Sequence, residues 1–147
     1  MDFKKCLTIG LVVGIVVNVL DFVVQGNLLA SYYSQPPFRQ DNTIAWMIIG
    51  DFMAAYVFAW VYLKVAGSFA PGPAGGAMMG FYAGVLANFP AGIFMHLMFQ
   101  GFPYALSWIW IVYGIAWYVI AGAIAGALNK REPLRTGAHR RTTATRS

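Results

Sequence analysis

The first long apolar run of the chain, GLVVGIVVNVLDFVVQG, constrains the fold more than any other stretch. A helix advances about 100° per residue, and five residues of this run fall within about 80° of one another on the helical wheel. They form a polar stripe that consists of Gly10, Gly14, Asn18, Asp21 and Gln25. A carboxylate exposed to lipid costs at least about 2.5–3.5 kcal/mol, so this stripe has to face protein or water. The run therefore predicts a membrane-spanning helix packed within a bundle, with polar partners for Asp21.

The composition supports a membrane protein. Of the 147 residues, 59% are hydrophobic and only 10% are charged, whereas a soluble domain has about 45–50% apolar and about 25% charged residues. Four apolar segments are each long enough to cross a hydrocarbon core, which takes about 20 residues. We place these spans at about 6–29, 43–64, 75–100 and 105–128. The expected architecture is an all-α integral membrane protein, a four-transmembrane-helix bundle over residues 1–128, followed by a basic, disordered tail at 129–147.

The distribution of charge predicts the orientation. In a four-span layout, nine of the 10 lysines and arginines lie on one side of the membrane and only Arg39 lies on the other. By the positive-inside rule, both termini are then cytoplasmic, and the protein is expected in the cytoplasmic (inner) membrane. The net charge of +5 then reflects basic residues that lie near anionic lipid headgroups. The lipid bilayer is the expected partner, and no nucleic-acid partner is expected.

Glycines recur at intervals of four residues, a spacing that lets membrane helices approach closely. The glycines assigned to helix packing are Gly10, Gly14, Gly76, Gly80, Gly84, Gly92, Gly114, Gly122 and Gly126. Four helices can hardly bury all of these faces and also enclose a pathway. Part of the glycine surface is therefore expected to meet another chain, either a second copy or a different membrane subunit.

A weak internal repeat relates the two halves of the chain. Gly14-x3-Asn18 in the first span matches Gly84-x3-Asn88 in the third, and Trp46-x3-Gly50 matches Trp110-x3-Gly114 in the even spans. A duplicated helical hairpin would produce these matches. Chance would also produce them, because membrane helices draw on few residue types, and the sequence leaves both explanations open.

Three features resemble those of small four-helix bacterial membrane proteins of unassigned function. They are Asn18 with Gly26-x-Leu28-Leu29, the Phe69-x-Pro71-Gly72-Pro73 turn, and the segment from Trp110 to Ala127. The resemblance covers most of the chain. It implies the four-span topology and supplies no functional site.

Polar residues within the spans are expected to form one layer in the outer half of the membrane. Counted at about 1.5 Å per residue, Asp21 and Asp51 both lie about 12 Å below the outer surface. Gln25 and His96 lie about 6 Å deep by the same count, with two asparagines near the midplane. The predicted polar layer consists of Asp21, Asp51, Asn18, Gln25, Asn88 and His96.

Three interpretations of this layer are open. The acids could be protonated or hydrogen-bonded and simply fix helix register. They could instead bind an ion or a proton, with asparagine oxygens and a carbonyl freed by Pro90 as further ligands. In the third interpretation, His96 ligates haem or chlorophyll, and Gly92 one turn earlier leaves a gap for the macrocycle.

Enzymatic chemistry has little support. The sequence contains no nucleophile elbow, HExxH, CxxC or phosphate-binding loop. Cys6 is the only cysteine, so a thiolate metal cluster is excluded. No enzyme activity, metal or cofactor is predicted, with haem or chlorophyll kept as the least favoured alternative.

The expected function is that of an accessory or assembly subunit of a larger membrane complex, or of a homo-oligomer. The alternative is a small ion- or proton-coupled transporter or channel that uses Asp21 and Asp51. A pigment- or haem-binding subunit with His96 as the ligand ranks third.

Overall fold

The computed structural model describes residues 2–34, 38 and 44–129, and within this part the chain is helical and contains no strand. The predicted tail at 130–147 lies outside the described residues. The helices are α1 Phe3–Val23, α2 Ala30–Tyr33, α3 Ile44–Val65, α4 Pro73–Met98 and α5 Tyr104–Leu128. A single π-helical turn, Val24–Leu28, extends α1, and a 3-10 turn, Ala66–Ser68, extends α3.

Four helical segments are long and apolar enough to span a membrane. They are Phe3–Leu28, Ile44–Ser68, Pro73–Met98 and Tyr104–Leu128. Each predicted end lies within four residues of an observed end, the largest difference being residue 64 against Ser68. The differences have local causes. The 3-10 turn prolongs the second span, and Pro73 starts α4 early because proline is favoured in the first helical turn.

The long helices pack in two pairs of sequence neighbours, α1 with α3 and α4 with α5. The two pairs meet mainly through α1 and α5, and α3 also contacts α5. Helix α5 therefore has two packed faces, one covered by α4 and the other by α1 and α3. Helix α4 makes most of its contacts with α5, and its Met79 joins the apolar cluster shared with α1 and α3.

Small side chains bring α1, α3 and α5 together. Val17 on α1, Ala55 on α3 and Ala121 on α5 are all 0% exposed. They belong to one apolar cluster that extends towards the N-terminus of α1 through residues such as Val13 and Ala59. Because these side chains are short, the three helices approach closely over the half of α1 that contains the N-terminus. We call this end of the bundle proximal and the opposite end distal.

The glycines predicted for packing all lie against another helix of the same chain. On α1, an added Cβ at Gly10 or Gly14 would collide with the ring of Tyr56 or Phe52. Between α4 and α5 the approach is closer, since a Cβ at Gly76 would meet the carbonyl of Gly122. The chain thus covers its own glycine faces. These glycines therefore no longer indicate that a second chain packs against the bundle.

Both hairpins contain the same local hydrogen bond. Asn18 Nδ2 donates to the carbonyl of Gly14 and Asn88 Nδ2 donates to that of Gly84, each at 2.9 Å. The Gly-x3-Asn matches therefore correspond to an equivalent backbone contact one turn back along each helix.

Helix α4 also continues through Pro90, which removes only one N–H donor from the helix.

The closeness of α4 and α5 generates the first prediction. Replacing Gly76 with leucine should destabilise the fold by about 1–3 kcal/mol or more, because the side chain would meet backbone that cannot rotate away. Gly67→Ala is the matched control, since an added Cβ there meets nothing within 4 Å. Thermal unfolding in mild detergent, followed by circular dichroism, measures both. Equal stability of the two variants would contradict the α4–α5 packing.

Candidate acidic site between three helices

The two predicted aspartates do come together. Asp21 on α1 and Asp51 on α3 are close enough for each carboxyl group to act on the other, and Asp21 also contacts α5. We call them the acidic pair. A hydrogen bond between two carboxyl groups requires a proton on one of them, because two carboxylates have no donor and repel each other. Two carboxyl groups this close can hold one proton between them.

Helix α5 supplies the remaining partners of the acidic pair. The Tyr113 hydroxyl donates to Asp21 Oδ1 at 2.7 Å. Trp117, one turn further along α5, is a second neutral side chain that acts on Asp21. Among the described residues, no lysine, arginine or histidine contributes to either carboxyl group. Any negative charge is thus stabilised by neutral donors alone.

A second polar group lies one helical turn closer to the distal end. The Trp110 indole donates to the Tyr33 hydroxyl at 2.7 Å, and this hydroxyl in turn donates to Gln25 Oε1. We call Gln25, Tyr33 and Trp110 the distal triad. Gln25 belongs to the π-helical turn, a distortion that often occurs at functional sites.

Tyr33 remains a neutral donor under ordinary conditions. Burial raises the pKa of its hydroxyl above the usual value of 10.0, the hydrogen bond from Trp110 opposes this, and the negative charge of Asp21 raises the pKa further. The direction of the shift keeps the proton on Tyr33 near neutral pH.

Aromatic rings close the distal end between α1 and α5. The ring of Phe38 packs against Tyr33 with 5.1 Å between centroids, and Phe102 packs against Trp110 at 5.2 Å. Leu29 and Leu106 are buried beside them. On this side, apolar and aromatic side chains therefore shield the distal triad.

The side facing α3 is different. All residues at 45–50 are exposed, with Trp46 at 74%. A helix packed along one face covers a residue at every turn, so this first part of α3 is less covered by its neighbours than the remainder of the helix. The acidic pair lies at the level where packing of α3 begins, and both carboxyl residues are only half-buried.

The other predicted polar residues do not join the acidic pair. Asn88 and His96 are on α4, beyond α5, where Asn88 lies over Gly114 and the exposed His96 packs against the Tyr104 ring at 4.8 Å. Asn18 donates a hydrogen bond to the Gly14 carbonyl of its own helix. The predicted single layer is therefore split into separate groups, because equal depth does not place residues on facing sides of their helices.

The described residues offer no multidentate metal cluster and no gap for a macrocycle beside Gly92. They contain no group of three or more His, Cys, Asp or Glu side chains that could hold a metal ion. The gap expected at Gly92 is filled by the side chain of Ile111. The gap predicted between Gly92 and His96 for a planar ligand is therefore absent.

The aromatic partners of the site were not among the residues predicted from the sequence. Trp110, Tyr113 and Trp117 recur at spacings of three and four residues, which places them on one face of α5. Such a pattern combines ring packing with polar N–H and O–H groups, and it could have indicated the face of α5 that meets the acidic pair.

Comparison with known proteins adds no assignment. No protein-family model, curated protein or solved structure matches the chain. The resemblance to small four-helix bacterial membrane proteins therefore stays a prediction.

The hydrogen bond between α5 and α1 can be tested directly. Tyr113→Phe should destabilise the protein by about 1.5 kcal/mol, the lower end of the range for a bond to a charged group, because the site is half-exposed. Tyr118→Phe, which keeps its ring contact with Phe58, is the control. A double-mutant cycle with Asp21→Asn, measured by unfolding in detergent, should show that the effects of Tyr113→Phe and Asp21→Asn are not additive. Strict additivity would contradict the coupling.

Proposed function

We propose that the chain is a multi-pass protein of the cytoplasmic (inner) membrane with both termini in the cytoplasm. Four apolar helices of sufficient length support insertion. The described lysines support the orientation, since Lys4 and Lys5 begin α1 and Lys64 ends α3, all at the proximal end. Lys64 also lies 5.7 Å from the centre of the Trp60 ring, a combination suited to a membrane–water interface.

We infer that the acidic pair binds a proton or a small cation, and that the protein is a small ion- or proton-coupled transporter or channel. The observation that carries this proposal is that two half-buried carboxyl groups lie close together and that no described residue provides a basic partner for them. Charged groups within a membrane are costly, and acids placed there commonly belong to ion or proton pathways. This role is now preferred to that of a subunit, because the glycine faces no longer call for a partner.

The chemistry of the pair follows from its donors. When a proton bridges the two carboxyl groups, the pair carries one negative charge, which Tyr113 and Trp117 stabilise from α5. A small cation in place of that proton would find two carboxylates, which are ligands that hard cations prefer. Of the asparagines proposed as further ligands, Asn88 lies between α4 and α5 with its Oδ1 against Gly114. Asn18 donates from its Nδ2 to the Gly14 carbonyl, a bond that does not occupy its Oδ1.

Ion flux in liposomes tests this function. Asp21→Asn and Asp51→Asn should each reduce proton- or cation-driven flux by tenfold or more, because each substitution removes a carboxylate and leaves an amide of nearly the same shape. Asp2→Asn is the matched control, since Asp2 lies at the start of α1 and caps its first turn. Flux that equals that of empty liposomes, or that survives both core substitutions, would refute the proposal.

A second candidate is an accessory or assembly subunit, or a homo-oligomer. The half-exposed acidic pair and the unpacked start of α3 favour it, since another chain could cover both within the membrane.

In that case the native protein should purify in mild detergent at a fixed stoichiometry, either with itself or with other membrane subunits. Asp21→Asn should then weaken the assembly, while liposomes carrying the wild-type protein show no flux. Native mass spectrometry measures the stoichiometry. A monomer that binds no other protein would exclude this candidate.

The haem- or chlorophyll-binding role has the least support, because His96 packs on Tyr104 and Ile111 fills the gap at Gly92. A visible absorption band in the purified native protein, lost in His96→Ala, would restore it.

A further inference from the structure

Helix α3 changes its environment abruptly at Gly50. From Asp51 onwards the helix buries a residue at every turn, including Ala55, Phe58 and Tyr62. Before it, each residue at 45–50 is exposed. We call residues 45–50 the α3 arm. The arm is a continuous part of the helix, yet it lacks the packing that holds the remainder of α3 in place.

Gly50 joins the arm to the packed part of the helix. An added Cβ at Gly50 meets nothing within 4 Å, whereas one at Gly10 or Gly14 would strike an aromatic ring. Packing therefore does not require a glycine at position 50. A glycine inside a helix costs roughly 1 kcal/mol relative to alanine and leaves the backbone easier to bend. The most deformable point of α3 thus directly precedes Asp51.

The opposite wall of the site is held in place. At this level α1 and α5 are joined by the hydrogen bonds of the distal triad and by the rings around Trp110. Among the described distal segments of the three helices that meet at the acidic pair, only that of α3 is exposed at every residue. A change in access to the pair would therefore come from α3.

We propose that the α3 arm is a lid that bends at Gly50 and closes over the acidic pair. Ile48 lies three residues before Asp51 and seven before Ala55, so it belongs to the buried face of the helix although it is 44% exposed. Bending at Gly50 would bring this apolar side chain towards the two carboxyl groups. The inference rests on the proposed ion- or proton-binding function and names how access to that site is controlled.

The charge of the pair sets the preferred position of the arm. Covering a carboxylate with an apolar side chain is costly, while covering a protonated, hydrogen-bonded carboxyl group costs far less. The arm therefore closes when the pair is neutral and stays open when it is charged. Among the described residues, the titratable groups facing the site are Asp21 from α1, Asp51 from α3, Tyr113 from α5 and, one turn away, Tyr33 from α2.

Distances between spin labels test the lid. In a Cys6→Ala background, one pair of labels is placed on Ile49→Cys in the arm and Val112→Cys on α5, both exposed positions. In lipid nanodiscs, the double substitution Asp21→Asn with Asp51→Asn should shift the distance distribution to shorter values. A second pair, Val57→Cys with Ile120→Cys, lies on the proximal side of Gly50. This control distance should stay unchanged, which also shows that the variant is folded.

Substitution of the hinge provides the decisive comparison. Gly50→Ala should abolish the shift of the arm, because the helix becomes stiffer without a steric clash. Ala54→Gly, at an exposed position one turn away, should leave the shift intact. Identical arm distances with and without the aspartates would overturn the lid. Flux without movement of the arm would refute the lid alone, and movement without flux would refute the transport function alone.

Discussion

The contact between α5 and the α1–α3 pair is the constraint on which the rest of the molecule depends. It consists of short apolar side chains in the proximal half and of the Tyr113–Asp21 hydrogen bond further along. Without the close approach at Val17, Ala55 and Ala121, the tyrosine hydroxyl would not reach the carboxyl group. Apolar packing and polar geometry are therefore coupled, since the small residues set the helix separation that the polar groups need.

Helix α5 can serve both neighbours because its two faces differ in chemistry. The face towards α4 carries Gly114, Gly122 and Gly126 and permits contact between backbones. The face towards α1 and α3 carries aromatic residues with polar atoms, which fill more space and provide donors. The close α4–α5 contact thus involves the glycine face, and the polar side chains Trp110 and Tyr113 lie on the face towards α1. This division explains why the polar residues of α4 remain outside the site.

The sequence was sufficient for the number and length of the helices, because hydropathy and span length leave few alternatives. It also predicted that Asp21 and Asp51 lie at the same depth, because the two residues are equally far from the ends of adjacent antiparallel spans. The sequence was insufficient to place Asn88 and His96 relative to the acidic pair. Depth along a helix does not give the direction in which a side chain points. The donors Tyr113 and Trp117 were missed for the same reason. Which helix covers which face is decided by the packing of all four helices together.

Two energetic demands meet at the start of α3. Complete burial of the acidic pair would require both carboxyl groups to be neutral or matched by a cation, whereas complete exposure would place them against hydrocarbon. The structure adopts neither extreme, because α1 and α5 shield the pair on one side and the exposed α3 arm leaves the other side open. A stable structural lock has no need of such an opening, since a buried carboxyl–carboxyl hydrogen bond is strongest when it is sealed from competing water. The incomplete burial of Asp21 and Asp51 therefore argues for a site whose occupancy changes.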